Sequence, residues 1–140
     1  SDLGSEGVEE PEQPYTEGGK TKNKTNRETF FNKRAQYWWR LRDRFYNTYR
    51  AVERGEYVDP EDQISLSSSI SNLDQIRSEV CRIPLKRSNT GKIQIMSKIE
   101  MARKPYQLPS PNMGDALMMA CYRPKTKAAP TKINFAGWND

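Results

Sequence analysis

The stretch FNKRAQYWWRLRDRFYNTYRAVER, residues 31–54, decides the reading of the whole chain. Phe31, Ala35, Trp38, Leu41, Phe45, Tyr49 and Val52 recur in it at spacings of three and four, which aligns them on one face of an α-helix. Lys33, Arg34, Arg40, Arg44 and Arg50 fall on the opposite face, and Gly55 follows Arg54 where such a helix should stop. The pattern predicts a long helix from Glu28 to about Arg54, apolar on one side and basic on the other.

Upstream, residues 1–27 mix Gly, Pro, Glu, Thr and Lys with few bulky side chains. Such a segment offers too little apolar surface to offset the entropy of ordering, so it is expected to be a flexible arm or linker. Charge divides this region: residues 1–19 hold six acids and no base, whereas residues 20–54 hold eleven bases and three acids. The net charge of +5 therefore hides a basic block suited to a polyanion. A solvated basic helix face would give the same pattern.

Downstream, Asp59-Pro60 marks a turn and Ser65 to Ser71 a polar connection. Leu73, Ile76 and Val80 mark a short helix over residues 72–82. Residues 82–96 read as two short strands about a turn, with Ile93 and Ile95 alternating against Lys92 and Gln94. Pro84 puts the first of them at an edge. A short helix is expected over residues 97–104, and Ser110-Pro111 opens another from Asn112 to Tyr122. From residue 124 the composition returns to that of a tail, in which Trp138 either docks or stays exposed.

With 140 residues the chain has room for one modest domain. Its 34% hydrophobic content and mean hydropathy of −0.98 come with no apolar run near the roughly 20 residues that span a bilayer. The acidic N-terminus lacks the pattern of a signal peptide. A soluble protein of the host cell cytoplasm, without membrane partners, is expected. Cys81 and Cys121 form no CxxC pair and the chain has no histidine, which disfavours zinc. Both are expected to be buried free thiols. There is no internal repeat and no glycine-rich phosphate loop.

Four segments, in order, carry a family resemblance. Asn32 to Gln36 with Tyr37-Trp38-Trp39 and Leu41 to Arg44 is similar to a run on a long helix of the nuclease domain of tailed-phage large terminases. Tyr49 to Asp62 resembles the helix exit and acidic loop of the headful-packaging branch, and Gly91 to Met101 its hairpin strand and lysine-bearing turn. Leu108 to Leu117, with Ser-Pro-Asn-Met-Gly-Asp-Ala-Leu at its centre, is similar to the family's third acidic motif. Gly114 departs from the alanine more common there. The resemblance covers residues 28–123 and sets the expected division into an arm (1–27), a partial nuclease domain (28–123) and a tail (124–140).

The resemblance implies an α/β, RNase H-like fold: a long amphipathic helix, a short β-hairpin and two shorter helices between flexible termini. In the family, several carboxylates hold two divalent ions, Mg²⁺ or Mn²⁺, that cut double-stranded phage DNA during packaging, beside an ATPase domain, a portal and a small terminase subunit. Hard ions of this kind take carboxylate oxygens, so the lack of histidine is no obstacle. The resemblance assigns Asp115 as metal ligand and catalytic carboxylate, set by Pro111 near a helix start where the dipole favours negative charge. It assigns Lys98 as a stabiliser of phosphate or transition-state charge. Lys33, Arg34, Lys86, Arg87 and Lys92 are candidate DNA contacts, and Gly114 would permit a close approach of backbone, metal or DNA. Without the motif, Asp115 would be a solvated acid near a helix start and Lys98 a surface lysine.

The family's first two acidic motifs have no counterpart in Ser1 to Arg27. The chain is therefore expected to be a truncated nuclease domain, nearly inactive alone, whose uncovered apolar helix face favours self-association. The alternatives are a non-catalytic module binding DNA or a phage protein, and an inactive prophage remnant.

Overall fold

The computed structural model describes residues 3–17, 20–86 and 88–121. Trp138 and the rest of the expected tail lie outside them.

The chain begins with an antiparallel pair, β1 (Pro14–Glu17) and β2 (Lys20–Thr25), in which Thr16 faces Thr21 and Glu17 faces Lys20. This departs from the flexible arm expected over residues 1–27. The Gly18-Gly19 dipeptide is a hairpin-turn signal, and a few anchors hold the segment down: Leu3 and Tyr15 are buried, and Asn26 Nδ2 donates to the Glu10 carbonyl at 3.0 Å.

Thr25 and Glu28 form a reciprocal capping box that starts a single turn, α1 (Asn26–Thr29). The helix does not run on as the periodicity suggests. Phe30 takes extended backbone and bridges Ile93, whose N–H donates to the Thr29 carbonyl at 2.7 Å and whose carbonyl accepts from Phe31 N–H at 2.9 Å. Asn32 then caps the main helix, α2 (Lys33–Glu53), by accepting from Ala35 N–H at 2.9 Å.

Helix α2 is the axis of the molecule. Its residues Ala35, Trp38 and Leu41 form the core with Leu3, Ile95 and Met118, and full burial of a side chain such as Leu41 stabilises by roughly 2 kcal/mol. The apolar face is covered in its middle only: Phe31, Tyr49 and Val52 are exposed. A second stripe, Gln36, Tyr37, Asp43 and Asn47, is buried instead. Gln36 exchanges two hydrogen bonds with the backbone of Glu9, at 2.7 and 2.9 Å, and Tyr15 Oη donates to Asp43 at 2.7 Å. The N-terminal segment therefore lies along this polar stripe as a strap.

Past Gly55, at φ +63°, the chain doubles back through a 3-10 turn at Pro60–Asp62. Then follow α3 (Leu73–Arg82), the short pair β3 (Leu85–Lys86) and β4 (Gln94–Ile95), α4 (Lys98–Ala102) and α5 (Asn112–Ala120). Helix α5 packs on both α2 and α3. Both cysteines are free thiols, but Cys81 is exposed and Cys121 half-buried. The expectation of burial fails because Cys81 sits on α3 away from Ile76, that helix's buried residue.

Candidate functional site

Asp115 lies in the first turn of α5, and its own N–H donates to the Pro111 carbonyl at 2.8 Å. Lys98 opens α4, whose start is fixed by Ser97 accepting from Glu100 N–H. The two side chains converge, with Lys98 Nζ 2.6 Å from Asp115 Oδ2. From α2, Arg34 Nη1 stands 3.6 Å from the other oxygen, Oδ1. The Lys98 side chain is 50% exposed, whereas those of Asp115 and Arg34 are 17% and 11% exposed. The lysine thus forms the mouth of the site and the arginine its floor.

Asp115 Oδ1 and Oδ2 and Arg34 Nη2 are buried without a directed hydrogen bond. Burial pulls the Arg34 guanidinium below its ordinary pKa, and Asp115 opposes that shift. An arginine nevertheless keeps its charge in a protein.

One turn along α2 from Arg34, Trp38 sets the distance between α2 and α5. A Cβ on Gly114 would lie 2.7 Å from Trp38 Cη2, so any larger residue there would force the ring to shift. The close approach seen at Gly114 is that of the Trp38 side chain. Gly114 N–H, one of the free donors at the start of α5, is met by Glu79 Oε2 of α3 at 2.6 Å.

The other candidates are dispersed. Lys33 pairs with Glu6 at 2.8 Å, on the strap. Lys86 on β3 pairs with Glu100 at 3.1 Å, and its hydrogen bond holds the Glu100 carboxyl below the usual range. Lys92 is half-buried beside β4. Arg87 lies outside the described residues. Arg34, read in sequence as part of the basic outer face, points inward at Asp115. The roles of Arg34 as floor, Trp38 as spacer and Glu79 as cap were not read from the sequence. The one available signal was the i, i+4 spacing of Arg34 and Trp38, which puts both on one side of α2.

A cleft of about 420 Å³ lies elsewhere, between the strap and α2, lined by Tyr15, Arg40, Asp43 and Asn47 among others. It includes neither Asp115 nor Lys98. Along its walls Tyr15 Oη donates to Asp43 and Asn47 donates to the Asp62 carbonyl.

The residues present fit a metal only in part. Asp115 offers two buried oxygens free of directed hydrogen bonds, which is the donor chemistry of a hard divalent ion. Among the described residues, however, no three His, Cys, Asp or Glu side chains come together to hold an ion. Asp115 with its two cationic neighbours is not a two-metal site.

Comparison with known proteins places this fold in the class of RNase H-like nuclease domains. Residues 8–122 match the family described as the terminase RNase H-like domain, and the chain belongs to that family. It is similar to the structure of a lysine-to-alanine mutant of gp2c, from the large terminase subunit of bacteriophage Sf6, with calcium. That match has 39% identity and a TM-score of 0.75, and covers 86% of this chain and 51% of that one. It is also similar to the nuclease domain of the large terminase subunit gp2 of bacterial virus Sf6, at 39% identity and a TM-score of 0.69, covering 84% and 52%. The same domain as a lysine-to-alanine mutant with manganese and β-thujaplicinol gives 38% identity and a TM-score of 0.69, covering 84% and 52%. The chain spans about half the length of these solved chains. No curated protein matches it. No helix among the described residues is long and apolar enough to cross a membrane.

Proposed function

We propose that this chain is the Asp115-bearing part of a metal-dependent endonuclease acting on double-stranded phage DNA during packaging in the host cytoplasm. The observation that carries the reading is the convergence of Lys98 and Asp115, from separate helices, to 2.6 Å, with the lysine at the solvent side. Asp115 is one carboxylate of the site, and the further ligands for Mg²⁺ or Mn²⁺ are to be sought outside the described residues. Lys98 holds a phosphate oxygen at the mouth. Lys86 and Lys92 near the β3–β4 turn extend the contact along the backbone, with Lys33 more remote and tied to Glu6. The ATPase domain, portal and small subunit of the packaging machinery are the proposed partners.

A second reading, a DNA-binding module without catalysis, is favoured by the charge at the site: Arg34 and Lys98 against Asp115 leave one net positive charge, which suits phosphate more than a cation. Nicking of supercoiled plasmid in Mn²⁺, with DNA affinity measured against salt, separates the two. Since one carboxylate cannot hold two ions, we expect nicking barely above background, abolished in Asp115→Ala, and affinity that falls with salt and in Lys98→Ala. Salt-dependent binding without nicking would favour the second reading. Nicking undiminished in Asp115→Ala, or affinity indifferent to both salt and Lys98, would overturn the assignment of the site.

A further inference from the structure

We infer that Arg34 is a positioning residue for Asp115: its guanidinium, as a buried counter-charge beside Oδ1, holds that oxygen inward and leaves Oδ2 toward the mouth, where Lys98 meets it. The inference rests on the reading of Asp115 as a working carboxylate, and three observations carry it. Arg34 is more buried than either of its partners at the site, and a buried guanidinium needs a counter-charge. Asp115 is the acid that supplies one, with Arg34 Nη1 3.6 Å from Oδ1. The backbone of Arg34 is held by its main-chain N–H on the Leu3 carbonyl at 3.0 Å, and its guanidinium lies 6.0 Å from the centre of the Trp38 ring. Its main chain belongs to α2, and its side chain faces the carboxylate. A charge that moves with α2 and attracts one oxygen of a functional acid biases which way the other oxygen faces.

Lysine in this place would keep the charge and lose the planar fork, and methionine would keep the bulk and lose both. The experiment compares the full chain with Arg34→Lys and Arg34→Met by NMR. Three-bond couplings to Asp115 Cγ report whether its χ1 is fixed, and Mn²⁺-induced broadening of the Asp115 amide reports metal at the site. We expect one Asp115 rotamer in the parent chain, averaging in Arg34→Met, and an intermediate value in Arg34→Lys. Amide shifts remote from the site report the fold, and if Arg34→Met does not fold, the Arg34→Lys comparison decides. Unchanged couplings in a folded variant overturn the inference, even where Mn²⁺ broadens the parent. A rotamer lost in the variants while Mn²⁺ leaves even the parent unbroadened sustains the positioning role and refutes the metal reading instead.

Discussion

At the scale of single residues, the contact that governs the site is between two that do no chemistry. Trp38 and Gly114 are in contact because a Cβ at residue 114 would fall 2.7 Å from the edge of the indole, inside the closest approach of two carbons. The glycine is thus a matter of space and not of backbone angle, since its φ is not in the left-handed region. Gly114→Ala forces the ring, which is 4% exposed, to shift in a packed core, an overpacking cost of about 1–3 kcal/mol. The same substitution in a Trp38→Phe background meets no Cη2 atom and should cost less. A double-mutant cycle by urea unfolding measures the difference, and an equal penalty in both backgrounds would show that the ring does not set the spacing.

At the scale of elements, the site depends on how α5 begins. Its N-cap is Pro111, which offers no side-chain cap, and the Gly114 donor is satisfied from another helix by Glu79. Glu79→Ala leaves a buried N–H without a partner, at a cost of about 1–3 kcal/mol. Glu79→Gln keeps an acceptor in place and should recover most of that. Thermal unfolding of the two variants checks the order, and equal loss in both would mean that charge, not the hydrogen bond, is what α5 needs. The long helix, the hairpin over residues 82–96 and α5 were legible in sequence because period and punctuation are local: Trp38 and Leu41 repeat, Gly55 stops, Pro111 starts. The break at Phe30 was not, because what ends α1 there is pairing with Ile93, a partner remote in sequence. Asp115 and Lys98 were found through the motif and the lysine-bearing turn that precedes it. Arg34 was found as a basic residue but placed on the wrong side, since a helical period gives two faces and cannot say which arginine lies under α5.

At the scale of the whole molecule, the N-terminal strap makes α2 a central element rather than an exposed one. Composition counts apolar side chains, and residues 3–17 have few; what orders them is a set of polar contacts that composition does not weigh. Glu9 alone meets Gln36 through its backbone and Tyr37 and Arg40 through its carboxylate, both at 3.0 Å. Tyr15 stacks edge-on against Phe30 at 5.1 Å and donates to the buried Asp43 at 2.7 Å. The strap also supplies Leu3 to the core that holds Trp38, and the Leu3 carbonyl to the Arg34 amide, so it reaches the floor of the site. If the strap and α2 unfold together, a change confined to the strap must lower the stability of the whole. Tyr15→Phe keeps the ring on Phe30 and removes one hydrogen bond to a charged group, roughly 1.5–3 kcal/mol. Hydrogen exchange should then quicken across α2 amides as well as in β1, alongside a single thermal transition shifted down by several degrees. Faster exchange restricted to residues 3–17, with α2 unchanged, would instead make the strap a separate unit laid over a helix that is stable without it.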